Sequence, residues 1–259
     1  MHRAGFKVRY CYGGSAELSL FVAGAPYVMQ ATEAGMIGFV CSSSPGLAPP
    51  TGGLTRAFGT NPLAYGVPAG EHFPFIVDFA TTATALGKIL IAKERGENIE
   101  EGLAMHPDGK PMTDPKEMDP ASTLMLPMAG PKGYGLMMMV DILSGVVTGS
   151  GFGMDLNVGK LFSTGDMKHM RTGNFMWVID PAQFMPREEF LARMDRYIEQ
   201  IKGGKRMEGV DEIFIPGERG MRQKAASLNT GVIELEDATW AKMAAATEEN
   251  GVSLPIPVG

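Results

Sequence analysis

A glycine-rich segment with a single lysine is the feature of this sequence best suited to bind an anion. The segment, Gly130-Pro131-Lys132-Gly133-Tyr134-Gly135, leads into a long apolar stretch that predicts a helix. Glycines let a backbone approach a ligand, the first turn of a helix offers free N–H groups, and lysine adds a positive charge. The segment therefore predicts a site for phosphate, pyrophosphate or carboxylate. The alternative is a glycine-rich turn in which Lys132 is only a solvated surface charge.

A carboxylate at the end of a short apolar run is the second candidate. Residues 73–79 (FPFIVDF) predict a buried strand, and Asp78 stands near its carboxyl end, before Phe79 and Ala80. Ligands of α/β proteins gather at the carboxyl ends of strands, where an acidic side chain can accept hydrogen bonds from a ribose. Asp78 is equally suited to be a capping partner for the helix that follows.

Two further segments carry polar groups but are weak signals when each is taken alone. Ser42-Ser43-Ser44-Pro45 places hydroxyls in a tight loop, and Pro216-Gly217-Glu218-Arg219 is a turn with charged ends. The common nucleotide-binding and hydrolase motifs are absent: there is no G-x-G-x-x-G between strand and helix, no Walker A, no G-x-S-x-G and no H-E-x-x-H. The four histidines stand far apart, which favours surface or loop roles and predicts no metal site; they are His2, His72, His106 and His169.

Composition excludes several classes of protein. The 259 residues include 23 basic and 29 acidic side chains, a net charge of −6, which argues against nucleic acid or anionic membrane as the main partner. Cys11 and Cys41 are too few for a disulfide framework, so a reducing cytoplasm is expected. No apolar run reaches the roughly 20 residues that cross a bilayer, and the first residues lack the apolar region of a signal peptide.

Periodicity predicts the elements that would position these groups. Residues 41–70 are rich in Gly, Pro, Ser and Thr and predict loops. After the strand at 73–79, a helix capped by Thr81 or Thr82 is expected to end at Gly96. Residues 97–131 predict a long excursion over the surface. A second helix, apolar on nearly all sides, is expected from Gly133 to about Thr148 and should be buried centrally.

The C-terminal half predicts alternating strands and helices. Expected strands are residues 174–180, 212–215 and 231–235. One helix is expected to have Pro186 as its first residue and to end at Gly203, and Asp237 is expected to cap a final helix. This mixture lacks a strict βαβ order and predicts an α/β or α+β class with a mixed sheet in one compact body.

Taken in order, the motifs of this chain resemble one enzyme family. They run S-S-P, A-P-x-G-G, G-T-N-P-L-A, V-D-F-A-T-T, D-G-x-P-x-T-D-P, L-P-x-x-G-P-K-G-Y-G-L and P-G-E-R over roughly residues 25–255. This order resembles the malate/L-lactate dehydrogenase family, and residues 130–145 are especially similar to its ureidoglycolate dehydrogenases. The resemblance implies a mixed-sheet, non-Rossmann nicotinamide-binding fold, a homodimer and NAD or NADP as cofactor. It also implies a small carboxylate substrate, a 2-hydroxy acid of the ureidoglycolate, malate or lactate type that is interconverted with its 2-keto acid.

The resemblance also assigns cofactor contacts position by position. They fall in four segments of this chain: Ser44, Asp78 with Phe79 and Ala80, Lys132, and Gly217 with Glu218 and Arg219. Two of these assignments agree with predictions made above from residue chemistry alone: an anion contact at Lys132 and a ribose contact at Asp78.

The N-terminal stretch departs from the family pattern. Members carry a Ser-His-Gly segment that is missing here, and a second motif in which a histidine acts as acid/base after a Val-Arg strand. Here the six residues that follow Val8-Arg9, residues 10–15, include no histidine. Counting back without gaps from Gly35 places Leu20 at the histidine position, and a leucine cannot shuttle a proton. We therefore expect an N-terminally truncated member with a divergent stretch at residues 1–24 and a single oxidoreductase domain at 25–259. Its catalytic residue is unknown, and its activity is expected to be low. The alternative is a catalytically silent cofactor-binding remnant or partner subunit.

Overall fold

The computed structural model describes residues 23–156, 171–235 and 237–254 of the chain. Internal contacts divide the chain after Pro216 into two compact units, which are treated separately below. The strands of the first unit are, in chain order, β1 (Ile37–Ser42), β2 (Leu63–Val67), β3 (Phe75–Phe79), β4 (Ala104–Met105), β5 (Pro111–Met112), β6 (Leu124–Met125) and β7 (Asn174–Ile179). Its helices are α1 (Ala25–Glu33), α2 (Leu86–Arg95), α3 (Pro131–Asp141) and α4 (Arg187–Lys202).

The larger sheet has the strand order β3-β2-β1-β7, and every described ladder in it is antiparallel. Successive side chains of a strand point to opposite faces, so the sheet has two distinct surfaces. Helix α1 covers one of them, where Val28 lies against Gly38 and Gly66. Helix α3 covers the other, where Val140 joins Cys41 and Leu63 in a buried apolar cluster. The predicted mixed α/β class is confirmed, with antiparallel pairing in the described sheets.

A second, smaller sheet with the order β5-β4-β6 corrects the prediction for residues 97–131. Rather than only crossing the surface, this segment encloses its own core, in which Ile89 of α2 packs with Met112 and Met125. The short strands were missed because each has only two residues, too few for a period of two to be visible. The predicted loop at residues 41–70 likewise contains β2, which is buried at all positions but Tyr65 within the larger sheet.

Helix α3 begins at Pro131 and continues as a π-helical turn at Ile142–Val146. The prediction of a helix here is confirmed, but the expected burial on all sides is wrong. Met137 and Val140 are buried, whereas Met139, Ile142 and Val147 remain exposed by a third to a half of their surface. One face of this apolar helix therefore packs on the larger sheet, and another is open in the single chain.

Several predicted boundaries need correction. Helix α2 starts at Leu86 after Ala85 with no side-chain cap, and the hydroxyls of Thr81 and Thr82 bind other carbonyls instead; its end at Gly96 is confirmed. Pro186 precedes α4 rather than opening it. The strand at β7 is confirmed, and β3 is shorter and more exposed than expected. Residues 212–215 join no strand.

The second unit contains α5 (Glu218–Thr230) and α6 (Asp237–Asn250). Residues 217–219 were expected to form a turn, but Gly217 immediately precedes α5, which the sequence analysis did not predict. Residues 231–235 form no strand because Gly231 ends α5 in a left-handed conformation. The final helix is confirmed and begins at Asp237.

Candidate functional site

A buried asparagine, Asn61, links the serine loop to its surroundings. The Ser44 backbone N–H donates to Asn61 Oδ1 at 3.2 Å, and the Ser44 hydroxyl lies 3.4 Å from the same oxygen. In return, the Asn61 backbone N–H donates to Ser44 Oγ at 3.0 Å, while Thr60 Oγ1 lies 3.2 Å from it. A Cβ at Gly59 would lie 2.1 Å from Ser44 Oγ, so only glycine permits this approach. The Ser44 hydroxyl is therefore held in one place by the neighbouring loop.

The same asparagine binds helix α3. Its Nδ2 donates to the carbonyl oxygen of Met137 at 3.1 Å, and the amide favours the charged form of the nearby Asp141 carboxyl group. Asn61 has no exposed surface. A buried amide needs partners for both of its donors and for its acceptor oxygen, because an unsatisfied polar group costs about 1–3 kcal/mol. Here the amide oxygen and the amide nitrogen both have partners, so the serine loop and α3 are fixed to each other.

The segment that follows β3 reaches the same place through Thr81. Its hydroxyl is within hydrogen-bond distance of the carbonyl oxygens of Thr60 and Asn61, at 3.1 and 3.0 Å, and its carbonyl accepts from the Met128 N–H. Thr81 has no exposed surface. We call Ser44, Thr60, Asn61 and Thr81, with the α3 groups that Asn61 binds, the Asn61 junction. It brings together three of the four segments that the sequence singled out.

Lys132 stands where the sequence placed it, in the first turn of α3. Its side chain is exposed, and within the described part of the chain it forms no ion pair or hydrogen bond. The helix starts close to residues 126–128, since a Cβ at Gly133 would lie 2.0 Å from the Met128 carbonyl oxygen. An anion can bind where the free N–H groups of a helix start lie together with an unpaired ammonium group.

A cavity of about 490 Å³ borders Gly130, immediately before α3. Its other walls come from the loop at residues 49–54, from residues 102–109 of the smaller sheet, and from Leu126 and Pro127. This volume lies within the range of small-molecule sites, which is about 300–1,000 Å³. The start of α3 thus adjoins a space large enough for part of a nucleotide.

Asp141, the last residue of α3, is a buried titratable group. Its Oδ2 accepts the Gly153 N–H at 2.7 Å, and only 6% of the residue is exposed. Burial raises the pKa of Asp141 above its ordinary value, and the hydrogen bonds from Gly153 and Asn61 oppose that rise. The carboxyl group connects the end of α3 to the junction and to the loop that follows.

Asp78 has a structural role that was only half anticipated. Its Oδ2 accepts the backbone N–H groups of Gly24 and Ala25, both at 2.9 Å, so it caps α1 rather than the helix that follows β3. It pairs with Ala64 and therefore points to the α1 face of the sheet, whereas its neighbour Phe79 packs with the apolar cluster on the α3 face. The structure does not bring the Asp78 carboxylate into the Asn61 junction.

The remaining predicted contacts are placed as follows. Phe79 and Ala80 are half-buried at the end of β3, directly before Thr81, and the Phe79 ring packs against the apolar cluster of the larger sheet. In the second unit, Glu218 is buried and pairs with Arg222 one turn along α5, while Arg219 is exposed on the first turn. Whether any of these residues contacts a cofactor stays a prediction.

No histidine belongs to the Asn61 junction among the residues that the structure describes. Leu20, at the expected histidine position, lies outside them. The His72 ring is 3.7 Å from Glu199 of α4, and its backbone N–H binds Asp195, while His106 pairs with Glu117 at 3.2 Å. Nor do the described histidines, cysteines and acidic residues form any group of three that could hold a metal. No helix within the described ranges is long and apolar enough to span a membrane.

Sequence reasoning missed the residues at the centre of this site. Asn61 belongs to the quoted motif G-T-N-P-L-A, yet nothing in its local chemistry assigned it a role. Asp141 interrupts the apolar stretch that predicts α3, and the sequence analysis assigned it no role. Both act through partners distant in sequence, with Ser44 and Met137 lying 17 and 76 residues from Asn61. A polar residue within an otherwise apolar or loop segment was the available signal.

Comparisons with known proteins identify one enzyme family. The family model described as malate/L-lactate dehydrogenase matches residues 14–244. Malate dehydrogenase of Pyrococcus horikoshii is 35% identical over 213 residues, which are 80% of this chain and 57% of the relative. Ureidoglycolate dehydrogenase (NAD(+)) of Escherichia coli K12 is 36% identical over 211 residues, 78% of this chain and 56% of that protein.

Solved structures give the same result. Sulfolactate dehydrogenase from Methanocaldococcus jannaschii superposes with a TM-score of 0.74 at 31% identity, covering 89% of this chain and 64% of that one. Malate dehydrogenase from Pyrococcus horikoshii gives 0.73 at 28% identity, with 89% and 62% covered. The chain spans a little more than half the length of the curated relatives described above.

Proposed function

Because this chain belongs to the malate/L-lactate dehydrogenase family, we propose that it is an NAD(P)-dependent oxidoreductase acting on the CH–OH group of a small carboxylate. The proposed reaction interconverts a 2-hydroxy acid and its 2-keto acid. Relatives named for malate, sulfolactate and ureidoglycolate support that class of substrate. The choice among ureidoglycolate, malate and lactate, and between NAD and NADP, is left open in this proposal.

The observation that carries the proposal is the exposed Lys132 at the start of α3, two residues after Gly130, which lines the cavity. These residues fit a dinucleotide, because a helix start with a free cation suits phosphates and the adjoining space admits a nucleoside. When bound, a nicotinamide cofactor supplies the hydride transfer. The chain's own part is to hold it: Lys132 binds the phosphates, and the Ser44 hydroxyl, fixed by Asn61, offers a polar contact nearby.

Further contacts are proposed in other segments. Asp78 keeps its Oδ1 for a ribose hydroxyl while Oδ2 caps α1, and Phe79 and Ala80 offer backbone groups. Gly217, Glu218 and Arg219 of the second unit are proposed as contacts on the family resemblance. We also propose a homodimer in the cytoplasm, with no nucleic acid or membrane partner, as the composition and the resemblance predict.

Titration with NADH tests the role of Lys132. Lys132→Ala removes the ammonium group from an exposed position, so the fold should persist while the Kd for NADH rises at least tenfold, about 1.4 kcal/mol. Nicotinamide fluorescence reports the binding. Lys88→Ala, which removes another exposed lysine near a helix start, on α2, should leave Kd unchanged. Equal affinity in Lys132→Ala and the unsubstituted chain would reject the assignment.

A silent cofactor-binding protein is the second candidate, and the observation that favours it is Leu20 at the expected histidine position. Loss of an acid/base group lowers rates about 10²–10⁴-fold. The chain should therefore bind NADH yet produce little of it from NAD with ureidoglycolate, malate or lactate. Turnover at about 1–10³ s⁻¹, the ordinary enzyme range, would show that another residue moves the proton. A Leu20→His variant tests whether the position itself limits the rate.

A further inference from the structure

We propose that Asn61 is a positioning residue for the cofactor: one buried amide holds the serine loop, the end of β3 and helix α3 in the arrangement that cofactor binding needs. The inference rests on the proposed function, since the contacts that Asn61 positions are those proposed for NAD(P). It concerns a residue that does not itself need to touch the cofactor.

Both polar atoms of the Asn61 side chain are paired with other segments. Oδ1 faces the Ser44 N–H and hydroxyl at 3.2 and 3.4 Å, and Nδ2 faces the Met137 carbonyl at 3.1 Å and the Asp141 carboxyl. The Ser44 N–H needs an acceptor, which in an amide is the oxygen, and the Met137 carbonyl needs a donor, which in an amide is the NH₂ group. The orientation of the amide is therefore determined by its partners, and no residue with two identical terminal atoms can replace it.

The Asn61 backbone adds two more links to the same segments. Its N–H donates to Ser44 Oγ at 3.0 Å, and its carbonyl accepts from the Thr81 hydroxyl at 3.0 Å. The residue has a φ of +36°, in the left-handed region that asparagine, aspartate and glycine tolerate best. Asparagine combines the required backbone with the required amide.

These links bear on the proposed cofactor contacts directly. Met137 lies five residues beyond Lys132 on the same helix, about 7.5 Å along its axis. Holding Met137 to Asn61 thus fixes the start of α3 relative to Ser44 and to the chain after Ala80. A ligand that contacts several segments binds more tightly when they are already ordered, because binding does not then have to order them. Without the amide, each contact would persist but their spacing would not.

Asn61→Asp is the sharpest substitution, since aspartate keeps the shape, the backbone tolerance and the oxygen that faces Ser44. It places a second oxygen against the Met137 carbonyl and Asp141. We expect the Kd for NADH to rise at least tenfold in a fluorescence titration. Hydrogen exchange of the Ser44 and Thr81 amides should also become faster without NADH, while the β1–β2 ladder stays protected. Asn61→Gly, which keeps the backbone and removes the amide, should act in the same direction.

Two further variants separate positioning from stability. Thr123→Val removes a buried side-chain oxygen that accepts the Asp119 N–H outside the junction, so its melting temperature should fall while its Kd for NADH stays unchanged. Asn61→Asp combined with Asp141→Asn restores a donor–acceptor pair at the same place and should recover part of the lost affinity. A loss of stability alone would not be rescued in this way.

The outcomes distinguish the two proposals. In one outcome, the Asn61→Asp and Asn61→Gly proteins fold and bind NADH as tightly as the unsubstituted chain, while Lys132→Ala binds it weakly. This result would overturn the role of Asn61 and leave the proposed function intact. Failure of the unsubstituted chain to bind NADH would overturn both. If neither Asn61 variant folds although Thr123→Val does, Asn61 is a structural residue and the positioning role is rejected.

Discussion

At the scale of single residues, the site depends on polar groups that are buried and fully paired. Asn61 and Asp141 occupy positions where local sequence rules favour loop or apolar helix, and their partners come from other segments. Lys132 is different, because its chemistry is local: a cation in the first turn of a helix after glycine and proline is recognisable in the sequence. The sequence therefore predicted an anion contact at Lys132 but not the residue that connects the segments around it.

Asp141 gives a pH-dependent prediction. Burial raises its pKa in the folded chain, so the group favours folding most below its unfolded value of about 4, and this contribution is lost as pH rises through the folded pKa. Asp141→Asn cannot titrate. Its free energy of unfolding, relative to that of the unsubstituted chain, should therefore increase from about pH 4 toward neutral pH, as measured by urea denaturation.

A matched variant controls for charge in that experiment. Asp155→Asn removes one negative charge from an exposed residue two positions after Gly153, and its stability should follow that of the unsubstituted chain across the pH range. Parallel curves for Asp141→Asn and the unsubstituted chain would contradict a raised pKa.

At the scale of elements, the sequence predicted helices and strands that show clear apolar spacing. It missed the elements that are defined by pairing with distant segments. Local signals predicted helix α4, strand β7 and the end of α2 at Gly96. The spacing of apolar residues indicated the first two, and the glycine indicated the helix end. Helix α1 was not identified, and its cap comes from Asp78, 53 residues away. The short strands of the smaller sheet exist only through their pairing, which no local pattern specifies.

The cap on α1 can be tested by substituting Asp78. Asp78→Ala leaves the N–H groups of Gly24 and Ala25 without their carboxylate partner and should lower the free energy of unfolding by about 1–2 kcal/mol, the upper range for helix caps. Asp78→Asn keeps one acceptor oxygen and should lose less. Equal stability of Asp78→Ala and the unsubstituted chain would contradict the capping role. A raised Kd for NADH in Asp78→Asn would support a cofactor contact as well.

At the scale of the whole molecule, an apolar face remains open on α3 and the π-helical turn after it. Five apolar side chains on these elements are exposed by 37–56%: Met138, Met139, Ile142, Val146 and Val147. Contiguous exposed apolar surface of this kind favours association in water. The sequence indicated an apolar helix correctly, but periodicity alone could not distinguish burial within one chain from burial between chains.

We therefore predict that the chain self-associates. Sedimentation velocity should show a dimer or larger species whose fraction grows with concentration, and Val147→Lys should weaken that association by placing a charge on the open face. Val252→Lys, at an exposed position in the second unit, is the matched control. A compact monomer at all concentrations, with a cooperative melt at high temperature, would contradict the prediction.

The central claim is that NAD(P) phosphates bind at the start of α3 beside the Asn61 junction, and a crystal structure of the chain grown with NADH tests it most directly. We predict cofactor density adjoining Gly130, with Lys132 Nζ about 2.7–2.9 Å from a phosphate oxygen, as is usual for charge-assisted hydrogen bonds, and with the Ser44 hydroxyl still held by Asn61. Cofactor density elsewhere on the chain, with Lys132 remaining in solvent, would contradict the account.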